Sequence, residues 1–211
     1  MKTINLSVDI IGDSSLINGK SLFRAENVPK FPPLVAKAML YFAVQSISNG
    51  SKIDIYDPCC GNGTVLSIAA TYFKNKIANL YGSDIDKESV VAAELNLDLI
   101  DEKSESQTFN SIQPYNIFEA NALGVFLPKT SNDLVVVSDP PFGRVCDWKC
   151  LDEGSHGLDQ FVTNMFSQNQ ERIVLCYDNS FEGKHILQKH YVIMNSANLK
   201  NRTIYSLRAK D

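Results

Sequence analysis

The chain of 211 residues has no apolar run approaching the ~18 residues that a membrane helix needs. Its opening residues, Met1 to Leu6, show no apolar core of a signal peptide. Together these absences lead us to expect a cytoplasmic protein that does not associate with membrane. Cysteine is scarce and odd in number, with five in all. No secretion signal accompanies them, which argues against a disulfide framework. A zinc site could be drawn from Cys146, Cys150, His156 and one further ligand, but the paired short spacings of structural zinc sites are missing. We expect reduced, mostly buried thiols and no metal. There is no internal repeat and no second domain of credible size.

The composition is 44% hydrophobic and 21% charged, enough for one soluble domain with a sizeable core. The formal net charge of −4 argues mildly against a nucleic-acid partner. Its distribution points the other way. Residues 1–50 carry a net +2 and residues 184–211 a net +5, around a centre of −11. Such basic ends can form a phosphate-binding rim, or they can be solvated surface.

Apolar runs and breakers alternate along most of the chain. Phe31-Pro32-Pro33 leads into an amphipathic helix over Leu34 to Ile47, with proline at its start. Ile53 to Asp57 reads as the first core strand, Thr64 to Phe73 as a helix, and Ala78 to Asp84 as a second strand. Asp86 caps a helix reaching Ile100, with Val90, Val91, Ala93, Leu95, Leu97 and Leu99 as its apolar residues. Asp101 to Gln107 reads as a polar, mobile insertion. A third strand is expected near Ser111 to Phe118. Leu134 to Ser138 reads as a fourth, buried on both faces because nothing in it alternates with polar residues. A short helix over Leu158 to Phe166 and a fifth strand over Arg172 to Tyr177 follow. Tyr191 to Met194 and Thr203 to Leu207 can pair as a closing hairpin. This alternation predicts an α/β sheet, mostly parallel. We divide the chain into an N-terminal extension and helix (1–50) packed on a core domain (51–211).

The chemistry gathers where these strands end. Asp57-Pro58-Cys59-Cys60-Gly61-Asn62-Gly63-Thr64 joins the first strand to its helix, the turn at which doubly wound sheets bind ligands. Gly61 and Gly63 remove side chains where a ligand can approach the backbone, although such turns also serve packing. A third glycine to seat a pyrophosphate is missing, which disfavours a nicotinamide dehydrogenase. Asp57 suits a cationic ligand instead, such as the ammonium end of S-adenosylmethionine. Asp84, followed by Ile85, ends the second strand and can accept two hydrogen bonds from ribose hydroxyls. Asn121 can meet an adenine edge while Ala122 leaves room for the ring, although an Asn there can equally form a turn.

Asp139-Pro140-Pro141-Phe142 follows the fourth strand. Its prolines either end that strand, with Phe142 in the core, or hold an oxygen acceptor beside an aromatic face. The second arrangement suits methylation of nitrogen on a planar base. Arg144 and Trp148 are candidates for backbone and base contacts, and Arg24 or Lys30 for closing over the site. A carbon-5 pyrimidine methyltransferase would need a nucleophilic cysteine, and none lies in this turn.

In these motifs the chain resembles the class I S-adenosylmethionine-dependent methyltransferases, over about residues 50–208. Asp139-Pro140-Pro141-Phe142 matches the Asp/Asn-Pro-Pro-Tyr/Phe turn of enzymes that methylate planar nitrogen. The Asp57–Thr64 loop, Phe31-Pro32 and Trp148 resemble the 23S rRNA guanine methyltransferases of the avilamycin (orthosomycin) resistance type. The chain departs from that pattern at Pro140 and Phe142, where the family has Leu and Tyr. The resemblance implies a Rossmann-like fold, a doubly wound, mostly parallel seven-stranded sheet with an antiparallel edge strand. It implies S-adenosylmethionine as cofactor, bound at Asp57, Cys59, Cys60, Gly61, Gly63, Asp84, Ile85, Asn121 and Ala122. It implies 23S rRNA as partner, a monomeric enzyme, and Asp139, Pro140, Pro141 and Phe142 as the catalytic turn. DNA adenine or protein glutamine methylation, and a non-catalytic ribosome-assembly factor, are the rival readings.

Overall fold

The computed structural model describes residues 23, 30–47, 50–105, 112–141, 148, 157–179 and 182–211. A seven-stranded sheet forms its centre. The strands are β1 (Ile53–Asp57), β2 (Ile77–Asp84), β3 (Tyr115–Glu119), β4 (Asp133–Ser138), β5 (Arg172–Asp178), β6 (Tyr191–Leu199) and β7 (Arg202–Ala209). They lie in the order β3-β2-β1-β4-β5-β7-β6. β1 to β5 pair in parallel, and β7 runs antiparallel to both neighbours. The expected antiparallel strand is therefore β7, seated between β5 and the edge strand β6. The chain overshoots by one strand width at β6 and returns into the gap, so β7 gains partners on both sides.

Helices cover both faces. α1 (Pro33–Gln45), α2 (Thr64–Tyr72) and α3 (Lys87–Glu105) share one hydrophobic cluster. α4 (Gly157–Ser167) and α5 (Lys184–His190) share the other. The central strands are buried from both sides. Val135 and Val137 point into the first cluster and Val136 into the second, all fully buried. That is why β4 reads as an unbroken apolar run. α4 buries Leu158, Phe161, Val162 and Met165, the i, i+3, i+4, i+7 spacing of one helix face.

Two expectations need correction, and one element was not expected at all. α3 continues to Glu105, through the start of the stretch read as a mobile insertion. Asp101 there accepts the N–H of Ile112 at 2.8 Å, tying the helix to the approach of β3. Val91 and Leu95 do not supply core surface, being 46% and 45% exposed, because α3 turns Val90, Ala93, Leu97 and Ile100 inward. α5 went unforeseen. It is one short helix opened by Gly183 without a side-chain cap, so neither period nor capping marks it.

Asp54 organises the end of the sheet that faces away from the strands' carboxyl ends. It is fully buried in β1, yet its carboxylate is saturated. Asn79 donates to it from its backbone N–H at 3.0 Å and from its side chain at 2.9 Å, Asn132 donates at 3.1 Å, and the Thr130 hydroxyl donates as well. A buried carboxylate is tolerable only with such partners. Here they fasten the β3–β4 connection and β2 to β1. Among the described residues no helix is long and apolar enough to cross a membrane.

Candidate active site

The carboxyl ends of β1, β2 and β4 each deliver a carboxylate to the same edge of the sheet: Asp57, Asp84 and Asp139. The loop after β1 is held from β2. Cys60 N–H donates to the Ser83 carbonyl at 2.9 Å, and Gly61 N–H donates to Asp84 Oδ2 at 2.8 Å. Asp84 Oδ1 accepts Asp86 N–H at 3.0 Å. Each oxygen of Asp84 keeps a second lone pair for a ligand hydroxyl. Ile85 follows with 39% of its surface exposed, an apolar side chain at the mouth of the site.

The two loop glycines differ in purpose. Both have left-handed backbones, φ 49° at Gly61 and 70° at Gly63. A Cβ added to Gly63 would lie 2.9 Å from Cβ of Ala93, so this glycine lets α2 start against α3. Asn96 on α3 braces the same loop. Its Nδ2 donates to the Asn62 carbonyl at 2.8 Å and to the Phe23 carbonyl at 3.1 Å, and its Oδ1 accepts Phe23 N–H at 2.6 Å. Nothing in the sequence marks Asn96, because its role rests on backbone groups remote in the chain.

Asp57 is 2% exposed. Its Oδ1 accepts the Ser138 hydroxyl at 2.7 Å and Cys59 N–H at 3.2 Å. Burial pushes its pKa up to about 7, against the lowering effect of those two donors; Asp84 and Asp139 add to the rise. Burial also raises Asp84, against the backbone N–H groups of Asp86 and Gly61. Cys59 and Cys60 are free thiols pushed well up by burial and by the neighbouring carboxylates, which makes them poor nucleophiles.

Asp139 is half-buried and Pro140 fully so. Arg202, the first residue of β7, donates from Nη1 to Asp139 Oδ1 at 2.7 Å. Burial lifts Asp139 to about 7, and the charge and hydrogen bond of Arg202 act to lower it. Sequence reasoning missed Arg202 and saw it only as one of several basic residues near the C-terminus.

Other expected residues sit as follows. Asn121 Oδ1 accepts Leu123 N–H at 3.0 Å, the local turn bond open to an Asn. Ala122 is 6% exposed and packs into the cluster with α4. Trp148 packs 5.6 Å from Phe161, and a Cβ on Gly157 would stand 2.1 Å from its Cγ, so α4 starts beneath the indole. Lys30 is exposed. Phe142, Arg144, Arg24, Cys146, Cys150 and His156 lie outside the described residues.

This edge suits a ligand that is cationic at one end and carries ribose hydroxyls at the other. Asp57 and Asp84 would hold those two ends, and Ile85 would lie against a flat ring. S-adenosylmethionine, with its ammonium and sulfonium charges, meets that description.

A family model described as rRNA methyltransferase AviRa matches residues 12–113. A 23S rRNA (guanine(2535)-N(1))-methyltransferase of Streptomyces viridochromogenes is 22% identical over 186 residues, covering 71% of this chain and 74% of that protein. The structure of rRNA methyltransferase AviRa from the same organism superposes with a TM-score of 0.75 at 18% identity, over 98% of this chain and 96% of that one. A Listeria monocytogenes structure described as a class I S-adenosylmethionine-dependent methyltransferase gives 0.67 at 18% identity, over 94% of this chain and 66% of its own. The fold is that of the class I methyltransferases, and the resemblance in the loop and turn motifs extends to the whole architecture.

Proposed function

We propose that this protein is an S-adenosylmethionine-dependent methyltransferase acting on a ring nitrogen of guanine in ribosomal RNA, with 23S rRNA as its substrate. The observation that carries the reading is the placement of Asp139. It follows a buried strand, one residue after the Ser138 hydroxyl that binds Asp57, so the substrate carboxylate and the cofactor loop form one rigid unit. The S. viridochromogenes relative, named for guanine N1, supports the choice of base.

The cofactor supplies a methyl group on a cationic sulfur. Asp57, Asp84 and the Gly61 loop hold it in place, with Cys59, Cys60, Gly63, Ile85, Asn121 and Ala122 shaping the surrounding walls. Asp139 and the Pro140 carbonyl orient the target nitrogen, so catalysis rests largely on positioning. Phe142 stacks on the base once it has left its helix. Arg144 and Trp148 contact the RNA backbone and the base. The protein acts in the cytoplasm as a monomer, with residues 51–211 as the catalytic domain and the helix Pro33–Gln45 packed upon it.

The test is transfer of labelled methyl to separated 23S rRNA, 16S rRNA, genomic DNA and ribosomal protein from a host lacking the gene. Label should enter 23S rRNA and fall by about 10²-fold or more with Asp139→Ala. Label in DNA or protein alone would overturn the substrate.

A further inference from the structure

We propose that Arg202 is the positioning residue of this site: its guanidinium favours the ionised form of Asp139 and orients it, so that Oδ2 of Asp139 takes the proton of the target nitrogen. The proposal rests on the methyltransferase reading above and deepens it.

Topology brings Arg202 there. In the parallel strands the last residue reaches the ligand edge, whereas in β7 the first residue does. Arg202 opposes Asp178 at the end of β5, and its Nη1 lies 2.7 Å from Asp139 Oδ1. The two side chains are 16% and 21% exposed, so solvent screens the pair only partly. The ring of Phe31, in the segment leading into α1, stands 5.7 Å from the guanidinium carbon. Three elements thus converge: β4 carries the carboxylate, β7 the cation, and the approach to α1 the aromatic brace.

The ionisable groups facing Asp139 are Asp57 and Cys59 from β1 and its loop, Cys176 and Tyr177 from β5, and Arg202 from β7. All but Arg202 become neutral or anionic, so each opposes ionisation of Asp139 or leaves it unaided. Burial lifts Asp139 to about 7 even with the charge and hydrogen bond of Arg202 acting to lower it. Loss of the guanidinium would raise it further and reduce the share of carboxylate able to accept a proton at neutral pH.

Among the described residues Oδ2 has no hydrogen-bond partner, and the single bond to Oδ1 leaves it for substrate. Guanine N1, the one ring nitrogen that carries a hydrogen, must lose it when methyl arrives. In the step, the N–H bond breaks and its proton passes to Oδ2. The nitrogen electron pair forms the new N–C bond, and the S–C electrons stay on sulfur, giving S-adenosylhomocysteine. An exocyclic amine likewise loses one proton on methylation, so the pair serves as base for either nitrogen, and the choice of the ring nitrogen rests on the proposed function.

The test follows the Asp139 carboxyl by ¹³C NMR, assigned with Asp139→Asn, together with the pH profile of kcat on rRNA. In Arg202→Gln, titration and the acidic limb of kcat should both move up by about one unit, lowering kcat about tenfold near pH 7. KM for rRNA and Kd for S-adenosylmethionine should stay within about threefold. Arg202→Lys should restore the limb but not the full rate, because its point charge lacks the planar fork. An unmoved Asp139 titration in Arg202→Gln overturns the proposal whatever the activity. So does a loss of rate equal at every pH. Should Arg202→Gln fail to fold, an Arg202→Lys enzyme at wild-type rate overturns the positioning role. A wild-type protein that methylates no rRNA, with the titration shift present, sinks the functional reading and with it the role of Asp139 as base.

Discussion

The Ser138 hydroxyl donates to Asp57 Oδ1 at 2.7 Å, joining the ends of two neighbouring strands at the ligand edge. Ser138 is fully buried, and its bond acts to lower the Asp57 pKa against burial. Ser138→Ala therefore raises that pKa further from about 7. If Asp57 meets the ligand ammonium as a carboxylate, affinity for S-adenosylmethionine drops most where Asp57 is partly protonated. Calorimetric titration should show a gap between variant and wild type near pH 7 that closes by about pH 9. A gap of equal size at both pH values would mean that the hydroxyl acts through geometry alone.

Asp57 itself sets stability against binding. Its folded-state pKa of about 7 lies above the ~3.9 of an unfolded aspartate. Between those values the native state keeps the proton that the unfolded chain has released. Stability therefore falls as pH rises from about 4 to about 7 and levels off above, by at most a few kcal/mol. Asp57→Asn keeps an acceptor for Ser138 and Cys59 but never ionises. It should raise Tm at pH 8, lose that advantage near pH 4, and bind S-adenosylmethionine more weakly. A variant less stable than wild type at pH 8 would contradict this. Asp139 shifts in the same direction, so Asp57→Asn flattens only part of the pH dependence.

The parts legible in the sequence are those built from contiguous residues. β4 announces itself because both its faces are buried, and the Asp57–Thr64 loop because a strand, two glycines and a helix follow one another. Asp86 caps α3 as expected, accepting Ser89 N–H at 3.1 Å. What stayed hidden depends on partners far along the chain. Arg202 is 63 residues from Asp139, and their meeting requires knowing that β7 inserts backwards beside β5. Asp54 looks like an interruption in an apolar strand until Asn79, Thr130 and Asn132 are placed around it. Gly63 looks like a ligand glycine, and only the approach of Ala93 shows its packing duty. Asp101 to Glu105 carry enough charge to resemble a loop, yet they extend a helix whose other face is already packed.

Asn96 offers a test of how the loop is braced. Three backbone groups depend on its carboxamide, two on Phe23 and one on Asn62, and the side chain is fully buried. Asn96→Ala leaves them without that partner, a cost of about 1–3 kcal/mol for each group that water cannot reach. Denaturant unfolding should show a loss in that range. Hydrogen exchange should show lost protection at the Phe23 amide, and affinity for S-adenosylmethionine should weaken several-fold as the Asn62 turn loosens. Unchanged Phe23 exchange would show that the N-terminal segment is held by other contacts.

Lys200 stands at the tip of the β6–β7 turn, two residues before Arg202 and on the same edge of the sheet. It is exposed, with a left-handed backbone at φ 57°. Asn179 fixes the turn: its N–H donates to the Asn201 carbonyl at 3.0 Å, and its Nδ2 donates to the Lys200 carbonyl at 3.2 Å. Thr203 donates to Asn179 Oδ1 at 2.8 Å. Under the proposed function, a cation on a turn at the sheet edge that carries Asp139 is placed to meet a phosphate of bound RNA. Lys200→Gln should weaken rRNA binding and reduce the slope of log K against log salt by about one. Its kcat at saturating RNA should remain, since the residue touches no reacting atom. Lys200→Gly should show the same loss of salt slope while relieving the left-handed strain, and so should not be less stable than wild type. A salt slope unchanged in both variants would remove Lys200 from the RNA-binding surface.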